Sequence, residues 1–214
     1  MRIVLDNLPR LLRGLGVTLQ LTIGGFLIGL VIGTIIAVFR VSPIKPLRVL
    51  GAGYVAAMVN SPLIFLVFVA YYGLPKLGAL LTNFQCALIA VGLYIGGYVA
   101  EAVRSGFNAV SNGQAEAARA IGLTFGQTLS HVILPQALRS SVGPLAVLLN
   151  ANYRNVAVAG IIGVSEVVKA GSDLSDETAT QYPFFVFSFM AFMILGFATA
   201  FLAGWLDNRV AVKR

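Results

Sequence analysis

Five stretches of this chain are long and apolar enough to cross a lipid bilayer: about 16–39, 51–73, 84–104, 138–161 and 183–206. A hydrocarbon core of roughly 30 Å takes about 20 helical residues to cross. Each stretch therefore predicts one transmembrane helix, and residues 1–214 an all-α, five-span integral membrane domain. Hydrophobic residues make up 58% of the chain and charged ones 11%, with a mean hydropathy of +0.88, which excludes an ordinary soluble domain. The fourth stretch is the least regular, because Asn150, Asn152, Arg154 and Asn155 interrupt it. Gly25, Gly29 and Gly33 in the first span, and Gly92 and Gly96 in the third, fall at four-residue spacing that lets helix backbones approach closely.

The formal net charge of +7 does not point to nucleic acid, since the basic residues are scattered between apolar spans without a stripe or interleaved aromatics. It reads instead as a topology signal. Arg40, Lys45, Arg48, Arg104, Arg119, Arg139, Arg209, Lys213 and Arg214 all fall on one side if there are five spans, and that side is cytoplasmic. The opposite loops are poor in Lys and Arg: 74–83 carries only Lys76, and 165–182 sets Lys169 against Glu166, Asp173, Asp176 and Glu177. The orientation is N-out, C-in. The N-terminal segment, with Arg2, Arg10 and Arg13 among apolar residues, is expected to lie along the outer interface. No cleavable signal peptide is expected, because the apolar run that follows is too long for one. The single Cys86 rules out an internal disulfide and is expected to be a packed thiol.

Between the third and fourth spans the apolar pattern pauses, and a polar island, GQAEAARAIGLTFGQTLSHVILP, occupies 113–135. Ala and Glu favour a short helix, Gly122 permits a sharp bend at its end, and Pro135 resets the chain before the next span. Such a helix on the cytoplasmic side is suited to docking a soluble partner. The chain has no phosphate-cradling loop of the G-x-x-x-x-G-K-[ST] kind, no Cys/His cluster for a metal, and no triad or carboxylate pair that reads as a catalytic site. Neither a cofactor nor an enzymatic activity of its own is expected. His131 reads as an interfacial packing residue, and Tyr71, Tyr72, Tyr94 and Tyr98 as interface and packing aromatics.

The spacing Glu116-Ala117-Ala118, Gly122, Leu134-Pro135 resembles the EAA loop of ABC importer permeases, with Val132 where that family more often has Ile. The segment YVAEAVRSGFNAVSNGQAEAARAIGLTFGQTLSHVILPQALRSSVGPL (98–145) is similar to permeases for polar amino acids, the histidine/glutamine/glutamate/arginine group. The likeness extends through VTLQLTIGGFLIGLVIGTIIAVFRVS, NSPLIFLVF (60–68) and IIGVSEV (161–167). The resemblance implies the type I importer permease (MetI-like) fold, and residues 105–137 as the cytoplasmic coupling loop. It implies that Glu116, Ala117, Ala118, Arg119 and Gly122 engage a separate ABC ATPase dimer. A second permease subunit and an external amino-acid-binding protein complete the implied assembly, with glutamate or glutamine as the favoured substrate. Val59 replaces the family's usual Arg, Arg154 its usual Lys, and Val156-Ala157 its usual hydroxyls, and these departures bear on substrate identity.

Ionisable groups and breaks inside spans mark the expected pathway. Asn60-Ser61-Pro62 sits mid-span, where Pro62 lacks an amide proton and must kink the helix and free a carbonyl. Arg154 offers a guanidinium to a substrate carboxylate. Glu101 either pairs with Arg104 three residues on or meets the substrate's amino group. Two other classes share the apolar spans: a stand-alone secondary carrier or channel, which needs an internal repeat or a carboxylate network, and a membrane assembly subunit without transport. Cysteines placed at positions 45, 112 and 212 should react with an impermeant maleimide only from the cytoplasmic side, and one at 175 only from outside. External labelling at 112 overturns the orientation.

Overall fold

The computed structural model describes residues 2–210; Lys213, Arg214 and position 212 lie outside the described residues. All regular structure among those residues is helical: α1 (Arg2–Asp6), α2 (Leu8–Val41), α3 (Lys45–Asn60), α4 (Leu63–Phe68), α5 (Asn83–Ala109), α6 (Asn112–Ala120), α7 (Phe125–Gln127), α8 (Leu134–Ser140), α9 (Val142–Asn155), α10 (Val167–Thr178) and α11 (Tyr182–Val210). A π-helical turn, Val69–Gly73, and a 3-10 turn, Leu74–Leu77, extend α4. A second π turn, Thr128–Ile133, follows α7, and a 3-10 turn, Val156–Ile162, carries α9 outward.

The core of the fold is α2 packed along α5. A Cβ added at Gly29 would meet Ile95 Cγ2 at 2.8 Å and the Gly92 carbonyl at 3.1 Å. One at Gly33 would lie 2.6 Å from Val99 Cβ, and one at Gly92 would meet Ile28 Cγ2 at 2.5 Å. Side chains of each helix thus fill the gap left by glycines of the other. The four-residue glycine spacing is a packing seam, and Leu21, Ala37, Val91, Ile95, Val99 and Val103 are buried along it.

Three features differ from the expected layout. First, only the five-residue α1 precedes the first span as a separate helix, with Ile3 and Val4 packed on Leu11, Leu174 and Phe184, and the rest of the N-terminal segment is continuous with the span. Pro9 stands in the first turn of α2, where its missing N–H costs nothing. The 34-residue helix then runs unbroken for roughly 51 Å. Its outer end packs inward, since Leu11 is buried with Leu174 and Phe184. Second, the stretch 51–73 is not one kinked helix. Lys45–Asn60 and Leu63–Leu77 meet at 105°, because Pro62 forces the residue before it out of the helical region. Ser61 (ψ 137°) and Pro62 (ψ 133°) are both extended.

Third, the acidic segment 165–182 contains the twelve-residue helix α10. It wedges between the outer ends of α2 and α11. The Val167 N–H donates to Thr18 Oγ1 at 3.1 Å, and Ser188 Oγ donates to the Val167 carbonyl at 3.3 Å. Glu166, fully buried, caps α10 by accepting from the Val168 and Lys169 N–H groups at 3.0 and 2.7 Å. Burial pushes its carboxyl above the usual carboxylate range, against those two bonds. Outside this contact Arg10 reaches Glu177 at 2.7 Å, which holds the Glu177 carboxyl below its usual range.

The polar residues of the fourth span hold helices together. Asn152 Nδ2 donates to the Thr22 carbonyl at 2.9 Å, and Asn150 Nδ2 donates to the Gly196 carbonyl at 3.1 Å and to Thr199 Oγ1 at 2.9 Å. These bonds tie α9 to α2 and α11. By contrast α11 turns Phe185, Phe189, Met190, Ile194 and Phe197 outward, as a lipid-facing helix does.

The seam predicts an asymmetry between glycines of one helix. Gly33→Ala should cost about 1–3 kcal/mol through overpacking. Gly16→Ala, where a Cβ meets nothing within 4 Å, should be neutral or stabilise by up to about 1 kcal/mol. Thermal denaturation of the two purified variants checks this, and equal midpoints would remove the seam's special role.

Candidate functional site

The polar island folds into two caps set back to back. α5 ends at Ala109 and α6 begins at Asn112, so α6 stands clear of the span above it. At its far end the Leu123 N–H donates to the Ala118 carbonyl at 3.1 Å and the Gly122 N–H to the Arg119 carbonyl at 3.0 Å. That pair of bonds is a Schellman ending, which needs a left-handed residue at Gly122. Its φ is +88°. Immediately afterwards Thr124 and Gln127 form a capping box, Gln127 N–H donating to Thr124 Oγ1 at 3.4 Å and Thr124 N–H to Gln127 Oε1 at 2.9 Å. The turn between the helices is thus specified from both sides by local hydrogen bonds.

The orientation of α6 separates the predicted residues. Ala118 is buried, whereas Glu116, Ala117, Arg119 and Gly122 are exposed. Glu116 and Ala117 therefore face away from the membrane domain, and Ala118 seats the helix. Ile121, not predicted as functional, stands beside Gly122 with 79% of its surface exposed, and Phe125 is exposed across the turn. An apolar residue directly before the turn glycine was the available signal for Ile121. His131 lies on the π turn, its Nδ1 2.9 Å from Ser130 Oγ and 3.1 Å from the Gln127 carbonyl.

The residues expected along the pathway are not gathered in one place. At the break in the second span, Asn60 is exposed and its Nδ2 donates to the Ala56 carbonyl at 2.7 Å. Ser61 and Pro62 form the corner. Interruption of the helix frees the Val59 carbonyl, which accepts from Tyr98 Oη at 3.5 Å, with Tyr94 Oη 3.2 Å beyond. Tyr54 Oη donates to the Leu93 carbonyl at 2.7 Å. These tyrosines satisfy backbone around the corner, a role that their interfacial type did not announce.

Glu101 is held otherwise than a substrate ligand would be. Arg40, from the end of α2, and Arg104, at 2.9 Å, both pair with its carboxylate. The expected pairing with Arg104 is present, and the second arginine comes from 61 residues away. Arg154 lies at the last turn of α9, exposed, its guanidinium 5.9 Å from the Tyr153 ring centroid and, among the described residues, in no ion pair. Its depth follows from Asn152, which bonds Thr22. Thr22 and Arg40 are 18 residues apart on α2, or roughly 27 Å at 1.5 Å per residue. Glu101 and Arg154 stand at opposite depths, so the expectation that they hold two ends of one amino acid is corrected.

Among the described residues no three His, Cys, Asp or Glu side chains converge as metal ligands. The site offers instead an exposed helix with a rigid turn, a broken span, and a lone guanidinium near the outer side.

Comparison with known proteins bears on the fold and the family. A chain of an amino acid ABC transporter solved with histidines superposes with a TM-score of 0.86 at 26% identity, covering 96% of each chain. A methionine transporter, MetNI, captured facing inward, shares the fold at a TM-score of 0.79 and 22% identity, covering 97% of this chain and 99% of that one. The glutamate transport system permease protein GluC of Corynebacterium glutamicum is 39% identical over 223 aligned residues, covering 96% of both chains. The probable glutamine ABC transporter permease protein GlnM of Bacillus subtilis is 31% identical over 208 residues, 97% of this chain and 96% of its own. The family described as "binding-protein-dependent transport system inner membrane component" matches residues 8–212. The chain belongs to that family and is a multi-pass protein of the cytoplasmic membrane.

Proposed function

We propose that this chain is the permease subunit of an ATP-driven importer for a polar amino acid, glutamate or glutamine before others. Two copies, or this chain and a related permease, surround one pathway. An external binding protein delivers the amino acid, and an ATPase dimer docks from the cytoplasm. The observation that carries this reading is the free-standing helix α6, with Glu116 and Ala117 outward, Ile121 exposed beside Gly122, and its turn fixed by a cap on each side. An apolar tip on a rigid, locally specified turn can transmit a push, whereas a flexible loop would absorb it. The names of the glutamate and glutamine relatives support the substrate class. The need for a second permease subunit is supported by the face around the broken span, where Val49, Leu50, Ile64 and Phe65 are exposed beside Asn60.

On this reading, ATP binding closes the ATPase dimer and draws the α6 helices together, and the spans turn the pathway outward. Hydrolysis resets it. Glu101, clamped by Arg40 and Arg104, keeps the inner ends of α2 and α5 moving as one body.

Glu116→Lys and Gly122→Val should leave the protein in the membrane but lower substrate-stimulated ATP hydrolysis by roughly tenfold or more. The first reverses charge at the docking face. The second puts a β-branched residue in a left-handed conformation that costs roughly 1–2 kcal/mol even for an ordinary one. Normal coupled uptake by both variants at matched expression would remove the docking role.

Arg154, an always-charged fork with no acidic partner among the described residues, is proposed to meet the substrate carboxylate. Arg154→Ala should reduce uptake several-fold while amino-acid binding to the external receptor stays unchanged. Arg154→Lys should recover only part, because an ammonium keeps the charge and loses the two-point geometry. Uptake kinetics decide it; wild-type transport by Arg154→Ala would make the residue an interfacial cation that snorkels to water.

A further inference from the structure

Glu166 is an ionisable group that the transport reading leaves unused. It is fully buried and, among the described residues, in no ion pair. Four elements meet around it at the outer ends of the helices. Its own α10 supplies the Val168 and Lys169 N–H groups at 3.0 and 2.7 Å. From α2 come Thr18, whose Oγ1 accepts from the Val167 N–H at 3.1 Å, and Gly14, where an added Cβ would lie 3.2 Å from the Glu166 carbonyl. The 156–162 turn brings Gly160, where an added Cβ would lie 3.2 Å from Glu166 Oε1. From α11 comes Ser188, bonded to the Val167 carbonyl. These contributions from α2, the turn and α11 carry no charge. The charged groups of α10 on this side, Lys169 and Asp173, pair with each other, and further out Arg10 of α2 pairs with Glu177.

Two demands act on the carboxyl in opposite directions. As a helix cap, an ionised carboxylate is the stronger acceptor for the two backbone N–H groups. As a buried group without a cation it is better neutral, because the loss of hydration is not offset by a partner ion. Burial is the larger effect, so the closed joint holds a proton more tightly than the same carboxyl does in water. A cavity of about 260 Å³ lies beside the joint, bordered by Gly160, Glu166, Lys169 and Ser172. A modest outward shift of the first turn of α10 therefore brings the carboxyl to water.

We propose that Glu166 is a proton-operated latch on the outer side of the domain. Neutral, it lets α10 seat against α2, the 156–162 turn and α11; ionised, it draws the first turn of α10 toward water and loosens that seat. Because α10 ties the outer end of α2 to α11, acid outside holds together the helix ends that move when the pathway turns outward. That consequence for transport rests on the importer reading and its orientation, whereas the latch itself rests on the packing around Glu166.

The sign follows from linkage. Opening the joint releases a proton at any pH between the usual carboxylate range and the raised value of the closed joint. Within that window the closed joint gains as pH falls; below it both states hold the proton, and above it neither does.

The test is hydrogen exchange, read by mass spectrometry, on the assembled transporter in nanodiscs between about pH 5 and 8. After correction for the chemical exchange rate, opening of the first turn of α10 in the wild type should fall by up to roughly tenfold per pH unit on acidification, with α5 as the unchanging reference. Glu166→Gln, neutral and of the same length, should stay protected without that dependence. Parallel profiles overturn the latch, and so does wild-type protection that weakens on acidification, which would make the carboxylate a plain helix cap. Should Glu166→Gln fail to fold, the wild-type profile decides alone, and one as flat as that of α5 overturns the proposal. For transport, uptake into proteoliposomes with the amino-acid-binding protein outside is followed as only the external pH changes. Acid should slow the wild type several-fold more than Glu166→Gln; equal responses overturn the role in gating. Absence of ATP-driven uptake at every pH, with exchange as expected, would overturn the importer reading and leave the latch supported.

Discussion

The close approach of α2 and α5 is the constraint on which the remaining contacts depend. Within a bilayer, lipid tails are as apolar as leucine, so helices gain little by burying leucines against each other. They gain by fitting. Here the fit is reciprocal: Ile95 and Val99 occupy space that side chains at Gly29 and Gly33 would need, while Ile28 and Ile32 do the same at Gly92 and Gly96. Backbones held this near leave no tolerance for sliding, and every other element is referenced to the pair. The broken span lies on α5 through the Tyr98 hydroxyl, α10 closes on the outer end of α2 through Thr18, and α9 hangs from α2 by Asn152. At the inner end the seam is finished by charge, with Arg40 and Glu101 facing each other across it.

Polar groups inside this membrane domain fall into two kinds, and the difference is functional. Asn150, Asn152, Thr18, Ser188, Tyr54, Tyr94 and Tyr98 are engaged with backbone or with other side chains. In a low-dielectric setting such bonds are costly to break and specify one arrangement. Arg154, Glu116 and Arg119 stand exposed and, among the described residues, in no ion pair. The frame's polar groups are closed on themselves, while a few charges stay open to whatever approaches them.

The polar loop that carries α6 shows how a short segment stays rigid without a core of its own. Nine residues of helix are too few to be stable alone in water. The Schellman bonds at one end, the Thr124–Gln127 box beyond the turn and the buried Ala118 beneath supply what length does not.

Much of this was legible in the chain as written, for reasons that are local. Apolar length against bilayer thickness predicts crossings, loop arginines and lysines predict sidedness, and a glycine after an alanine-rich run predicts a capped helix; each depends only on neighbouring residues. Pro62 announced a disturbance in the second span but not its size, because 105° depends on two consecutive extended residues and on what the second arm packs against. Glu101 looked equally suited to Arg104 or to a substrate, and only the arrival of Arg40 from 61 positions away settled its partners. The helix α10 was hidden, since its residues read as an acidic loop until Thr18 and Ser188 supplied the hydrogen bonds that seat it. Sequence by itself thus determined the apolar spans and the glycine turn after α6, set by local hydropathy and backbone freedom. Tertiary structure decided which polar groups are spent on packing and which remain open, because that depends on partners the chain brings together only when α2 closes on α5.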